Sequence, residues 1–467
     1  MGVTDVTTTD TASTYGWDTA FGIHIADANA AIVKAGTSPT SFQAIDTPDG
    51  MSVTGTFGDW QITTGGSGDL IMLRVPIATA SLTSGQKVYP LTQAAALVTV
   101  RLNFLRQVDP AGKTSHQLVV QTTAPTPDVQ VATVSKIVYQ SGQEPGFLQD
   151  AGFQALLQLW FNENLDQFSH VFATVDLDRT ADEGAFQWMQ PTFSAYAYSD
   201  LGANDGVLVI LNQTEGRSAD GLIQQASTKI VPVGQRAGLL ISKQRLMSEF
   251  MYPAMVKVFP GTVQKDFTLS SSGESITNAH QDIQFTANTK DHGSYQAQVQ
   301  ELLVTIDAAE LQMSVLTVTE VSPGIQAFCR TQNFLTITLV NKPDGTQTLS
   351  FVDARPAIQN HWTQTSEVIQ IAEEVLAIIA AVVAAIAIVV SGGTALVVIV
   401  LIVGLAAGIM SLTTDIIQDV GQNDGPAIDK LVLNASAAIT WPDSKDFKLT
   451  HAELNDSLVL AGDPQFA

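Results

Sequence analysis

The chain reads as an α+β protein, built mostly from antiparallel hairpins with a few helices between them. Three observations carry that expectation: alternation of apolar and polar residues with period two, turn sequences between paired alternating runs, and isolated apolar stripes at helical spacing. In chain order, Phe21, Ile25, Ala28 and Ile32 predict a short helix over Thr19 to Lys34. Thr64-Gly65-Gly66-Ser67-Gly68-Asp69 reads as a turn between strands. Val98, Val100, Leu102 and Phe104 alternate with Thr99, Arg101 and Asn103 as one half-buried strand. Asp109-Pro110-Ala111-Gly112 turns the chain, and Gln117 to Gln121 returns as its partner.

After Pro145-Gly146, the residues Phe153, Leu156, Leu157, Trp160, Phe161, Leu165 and Phe168 place one apolar stripe along about five helical turns. Ser242 is a good N-cap for a helix carrying Leu246, Met247, Phe250 and Met251, which Pro253 should bend or end. Phe334 to Val340 and Thr346 to Val352 flank Lys342-Pro343-Asp344-Gly345 as a second hairpin. A helix followed by strands occurs twice, near residues 20 and 242. We therefore expect a polar tail (1–12) and two halves, 13–240 and 241–467, joined near Val231-Pro232-Val233-Gly234-Gln235.

The composition narrows function. Forty-five acids against 22 bases give a net charge of −23 over 467 residues, yet only 14% of residues are charged and 45% are hydrophobic. Mean hydropathy is +0.18 and the pI near 4.4. Such a chain is too apolar for disorder. It lacks the clustered cations that a nucleic-acid partner needs, and anionic membranes repel it near neutrality. The opening MGVTDVTTTDTAS has no basic n-region and no apolar h-region, so cytoplasmic synthesis is expected, with any release by a route without a signal peptide.

Val375 to Thr414 is 40 residues without a charge: two 16-residue apolar arms around Ser391-Gly392-Gly393-Thr394. Glu367, Glu373 and Glu374 precede it, and Asp415 and Asp419 follow. The simplest geometry is an apolar helical hairpin within 371–418, with Ile379, Val383, Ile386 and Val390 facing Leu396, Val400 and Val403. Three roles compete. Each arm spans ~24 Å as a helix, short of the ~30 Å hydrocarbon core, which weakens a resident membrane anchor. A helix apolar all round also suits a buried core. The third role is a hairpin packed in the soluble form that enters a membrane when triggered. In the last role, Leu376 joins those seven residues in facing an apolar ligand or a membrane.

Catalytic signals are missing. The seven histidines are scattered, with no His-Glu-x-x-His. The Gly65–Gly68 run lacks both the Walker lysine and the nucleophile-elbow spacing. Asp176, Asp178, Asp182 and Glu183 mimic the start of a calcium loop, but Ala181 and Gln187 stand where Gly and Glu are required. Cys329, the single cysteine, reads as a small buried hydrophobe beside Phe328. We expect no enzyme, no cofactor and no metal.

Thr14-Tyr15-Gly16-Trp17-Asp18 resembles the opening of the 47-kDa and OrfX accessory proteins encoded beside clostridial neurotoxins. The resemblance continues at Phe57-Gly58-Asp59-Trp60-Gln61-Ile62, Gly65-Gly66-Ser67-Gly68-Asp69-Leu70, Val75-Pro76-Ile77, Phe168 to Asp176 and Leu240-Ile241-Ser242-Lys243. That family is similar to the tubular lipid-binding (TULIP) superfamily. The resemblance implies two TULIP-like halves, each a long curved antiparallel sheet wrapped around a long helix; the apolar C-terminal hairpin, read from the uncharged run alone, stands beside them. It also implies binding of lipid or another apolar ligand and partners from a toxin system. The alternatives are a membrane-inserting toxin component that uses 375–411 and a purely structural partner without lipid. Tyr15, Trp17 and Trp60 are expected as buried anchors, and the glycines at 65, 66 and 68 as enablers of a tight turn.

Overall fold

The computed structural model describes residues 11–46, 50–124, 130–140, 145–176, 187–259, 261–289, 293–341, 347–365, 439–442 and 447–464. β1 (Thr19–His24) runs directly into α1 (Ile25–Ala35). β2 (Ser41–Asp46), β3 (Met51–Phe57), β4 (Gln61–Ser67), β5 (Leu70–Ser84) and β6 (Lys87–Val100) follow. Then come β7 (Leu102–Val108), β8 (Thr114–Val120), β9 (Thr133–Val138) and α2 (Phe147–Glu163). β10 (Ala173–Asp176), β11 (Pro191–Gly202), β12 (Asp205–Thr214) and β13 (Ala237–Ile241) precede a second helical segment. That segment is α3 (Lys243–Arg245), a π-helical stretch Leu246–Met251, and α4 (Tyr252–Val258). β14 (Phe267–Leu269), β15 (Ser275–Asn278), β16 (Ile283–Thr289), β17 (Gly293–Asp307), β18 (Glu310–Ser322), β19 (Ile325–Asn341) and β20 (Gln347–Thr365) form the next block. β21 (Ile439–Thr440), β22 (Lys448–Asn455) and β23 (Ser457–Asp463) complete the described strands.

The architecture is mostly antiparallel sheet. A central six-stranded sheet has the order β11-β12-β1-β13-β23-β22. β1 and β13 lie side by side antiparallel, Thr19 opposite Ile241 and Gly22 opposite Gly238. Each runs into helix and then into a long meander: β2-β3-β5-β6-β9 with β4 on β5, and β14-β15-β17-β18-β19-β20 with β16 on β17. A four-stranded sheet, β21-β10-β8-β7, links them.

Local sequence explains the departures from expectation. Thr19–His24 is a strand, not the start of a helix. It is flanked by β12 and β13 and buried on both faces from Thr19 to Ile23, so Ala20, Phe21 and Ile23 fall on both faces and the period-two pattern is lost. The helix begins only at Ile25. The alternating run from Val98 to Phe104 is cut at Arg101, where the chain leaves one sheet for another. Pro253 does not end its helix. It stands at the junction where the π-helical stretch passes into α4, with helical backbone on both sides of it. Cys329 is half-buried rather than buried, and burial raises its thiol pKa, away from nucleophilic use. The predicted turn at Asp109 forms, with the Lys113 N–H donating to Asp109 Oδ1 at 2.8 Å.

Apolar faces of both meanders close on helices. Ile71, Leu73, Val75 and Ile77 of β5 are at most 1% exposed. Pro76 is tolerated inside β5 because it falls where β5 changes partner from β3 to β4. On α2, Phe153, Leu156, Leu157, Trp160 and Phe161 are buried. Its polar row runs along an edge: Gln154 donates to the Val134 carbonyl, Gln158 accepts from the Val134 N–H, and Asn162 accepts from the Val131 and Ala132 N–H groups. Those side chains occupy backbone groups that an open sheet edge would leave unpaired. In the second block, Leu246, Met247, Phe250, Met251 and Met255 share the core with Val304, Met313 and Ile337.

His170 lies inside this core, 2% exposed, with Nδ1 3.0 Å from the Thr37 hydroxyl and Nε2 without a partner among the described residues. Burial lowers its pKa from 6.5 to about 4. The folded state therefore excludes a proton that the unfolded chain accepts below pH 6.5. Stability is complete above pH 6.5 and falls as pH drops towards 4, by on the order of 3 kcal/mol from this residue. The expected result is a thermal midpoint that declines through that window in the wild type and is flatter in His170→Phe. Parallel profiles would show that His170 does not carry the effect.

Candidate functional site

The Tyr15–Asp18 and Gly65–Gly68 motifs converge at one edge of the central sheet. Ahead of β1, the Trp17 N–H donates to the Thr14 carbonyl, and Tyr15 and Gly16 take φ values of 52° and 91°. Tyr15 is half-buried and Gly16 exposed. This turn lays Trp17, 2% exposed, against Phe193, their ring centroids 6.1 Å apart and nearly parallel. The Trp17 indole N–H donates to the Ile223 carbonyl at 2.9 Å.

Asp18 is 1% exposed. Its Oδ2 accepts from the Thr214 N–H and hydroxyl, each at 2.9 Å, and Arg217 Nη1 stands 3.4 Å from Oδ1. Its backbone carbonyl accepts from the Ser242 N–H. Asp18 thus joins the start of β1 to the end of β12 through its carboxylate and to the N-cap of the second helical segment through its backbone carbonyl. Behind it Arg245, its side chain 4% exposed, pairs with Glu215 and Glu249 and lies over the Trp188 ring at 4.7 Å.

The glycine block spans the end of β4, where its pairing with β5 shifts register, and the turn into β5. Gly68 and Tyr198 exchange backbone hydrogen bonds at 3.0 and 2.7 Å. Gly68 holds φ +62° with the Gln224 carbonyl 2.9 Å from where a Cβ would stand, and a Cβ on Gly66 would sit 2.5 Å from the Leu70 carbonyl. Gly65 donates its N–H to Asp200 Oδ2, and Ser67 is exposed opposite Leu70. Next to the turn, Asp69 pairs with Arg101, and its carbonyl accepts the Tyr196 hydroxyl at 2.6 Å. Burial raises the Tyr196 pKa, which keeps that phenol protonated and donating.

Between these pieces lies a cleft of about 690 Å³. Trp17, Phe193, Leu222 and Ile223 supply its apolar lining, and Asp69, Arg217 and Asp220 its charges. The segment 216–224 arches over one side, held by Asp18–Arg217, by the Trp17 indole, and by the Gly216 N–H on the Thr192 hydroxyl. Such a lining suits recognition, since it offers aromatic surface and fixed charges but no paired nucleophile and base. A second cleft, about 620 Å³, includes Lys265, Asp266, His280 and Asp282.

Sequence reasoning singled out Trp17 and Gly68 but not Phe193, Arg217 or the 216–224 arch. The run Glu215-Gly216-Arg217-Ser218-Ala219-Asp220-Gly221, dense in turn formers, was the available signal. The structure does not bring Trp60 here. It stands in the core, 1% exposed, stacked on Phe168 with centroids 4.6 Å apart. Leu376, Ile379, Val383, Ile386, Val390, Leu396, Val400 and Val403 lie outside the described residues, as do Asp178, Asp182 and Glu183. No described helix is long and apolar enough to cross a membrane, and no described cluster of His, Cys, Asp and Glu could hold a metal ion.

Known proteins resemble this chain along nearly its whole length. OrfX3 of Paraclostridium bifermentans is 25% identical, covering 97% of this chain and 98% of that protein. OrfX3 of Clostridium botulinum (strain Kyoto / Type A2) is 24% identical, covering 96% and 98%. The structure of P47 from Clostridium botulinum A2 superposes with a TM-score of 0.61 at 16% identity, covering 97% of this chain and 98% of that one. A family model described as OrfX-like, Protein OrfX2/OrfX3/P47, matches residues 14–462, and the chain belongs to that family.

Proposed function

We propose that this protein is a non-enzymatic accessory component of a bacterial toxin system, working by binding rather than by chemistry. The observation that carries this reading is the family match over 14–462, with OrfX3 relatives aligned from end to end. The finer reading is a pair of TULIP-like halves, near 13–240 and 241–467, that hold lipid or another apolar ligand, with toxin-system proteins as partners. Its support is the way both long meanders turn an aliphatic face onto a helical segment. The 690 Å³ cleft is not that ligand's chamber, because an acyl chain does not select a lining with Asp69, Arg217 and Asp220.

Native mass spectrometry and solvent extraction of the purified protein test the finer reading. The expected result is co-purifying lipid near one equivalent per chain. Lipid-free protein would leave a structural partner in a protein complex as the better reading. The uncharged Val375–Thr414 run favours a second possibility, membrane insertion. Dye release from liposomes that rises as pH falls towards the carboxylate range, ~4, and is lost in an Ile386→Asp/Val400→Asp variant, would favour it.

A further inference from the structure

The outer face of the second meander carries an aromatic pair that no described part of the molecule uses. Phe328 on β19 and Trp362 on β20 stand directly opposite each other in the ladder. Their rings are parallel within 3°, with centroids 5.3 Å apart. Trp362 remains 45% exposed although its neighbour holds the indole in place. Val318 of β18 continues the row on the far side of Phe328.

Polar residues flank this row on both sides and on the same face, two positions away along each strand. On one side, Arg330 and Asn360 are cross-strand partners, and Arg330 is paired with Glu301 of β17 at 2.6 Å. On the other side, Gln326 is opposite Gln364 and Glu320 opposite Gln326. Among the described residues, Gln326, Asn360 and Gln364 are exposed, which leaves their side-chain amides accessible as donors and acceptors.

We propose that this face is a glycan-binding surface, with Trp362 as the stacking platform and the Gln326, Gln364 and Asn360 amides as hydroxyl readers. The negatively charged face of an aromatic ring attracts the polarised C–H edge of a sugar ring. Amides that both donate and accept match hydroxyls, which do the same. Charge argues against the other occupants. A phosphate-bearing ligand would meet Glu301 and Glu320, with Arg330 already neutralised. A bilayer would bury the uncompensated amides at a cost. The surface is independent of any lipid held between sheets and helices, so it stands or falls separately from that reading.

The test is an array of defined oligosaccharides probed with the purified full-length chain, followed by calorimetry with the strongest free oligosaccharide. Wild type should bind at least one oligosaccharide saturably. Trp362→Ala should weaken it by about tenfold or more, and Trp362→Phe should stay within about threefold of wild type, because a smaller aromatic face remains. Phe193→Ala, in the cleft of the central sheet, should bind as wild type does. If Trp362→Ala proves misfolded, Gln326→Leu/Gln364→Leu leaves the ring pair intact and should also lose about tenfold. An array without signal, or binding unchanged in both the Trp362→Ala and the double-leucine variants, overturns the proposal.

Discussion

Trp60→Ala is expected to lower the unfolding free energy by about 3–5 kcal/mol, the cost of emptying a large aromatic site in a packed core. Trp60 is 1% exposed and touches three rings: Phe168 face to face, and Phe161 and Phe57 edge-on at 5.5 and 5.9 Å. Around them stand Phe42, Trp160 and Phe172, so the cavity would be lined by rigid groups that collapse poorly. Trp60→Phe should cost clearly less, because the indole N–H makes no hydrogen bond among the described residues that phenylalanine would lose. Urea denaturation followed by far-UV circular dichroism measures both. A loss below about 1 kcal/mol for the alanine variant would mean that this aromatic cluster does not hold the first meander to α2.

Asp18→Ala should cost a similar amount, about 3–5 kcal/mol, for a different reason. Removing the carboxylate leaves the Thr214 N–H and hydroxyl buried without an acceptor and takes away the counter-charge of Arg217. Asp18→Asn keeps one acceptor oxygen and should fall between. The loss should be local as well as global. Amide hydrogen exchange over 216–224 should quicken in Asp18→Ala at denaturant concentrations where the rest stays folded. A double-mutant cycle with Arg217→Ala separates the ion pair from the Thr214 bonds, since the Arg217 side chain is 45% exposed and worth less. Unchanged exchange in the arch would show that Trp17 and Thr192 hold it without Asp18.

Much of this fold was readable where a strand has one wet face. Val98 and Val100, or Phe334 through Val340, announce themselves because the pleat sends alternate residues to opposite environments. Thr19–His24 hid because both of its faces are buried, and period two vanishes when Ala20, Phe21 and Ile23 fall on both faces. The Gly65–Gly68 turn was readable from composition, while its hydrogen-bonded partner, Tyr198, was not, because pairing at that distance follows from tertiary register. Asp18 illustrates the same limit. A lone acid beside a tryptophan gives no hint that it will be buried until Thr214 and Arg217 are known to surround it. Phe328 and Trp362 look unrelated until β19 and β20 are placed in register.

The placement of β1 between β12 and β13, with β23 on the far side of β13, has a consequence for biosynthesis. Thr19 must wait for Ile241, about 220 residues later, before that side of its strand is paired. At ~5–20 residues per second, an emerging chain carries β1 without that neighbour for roughly 10–45 s. β13 in turn waits for β23, whose Ala461 meets Gly238. On the ribosome, the two meanders can form from local hairpins while the sheet that joins them stays open. An apolar strand such as Leu239-Leu240-Ile241 then presents an unpaired edge during translation, although it is fully buried once the chain is complete.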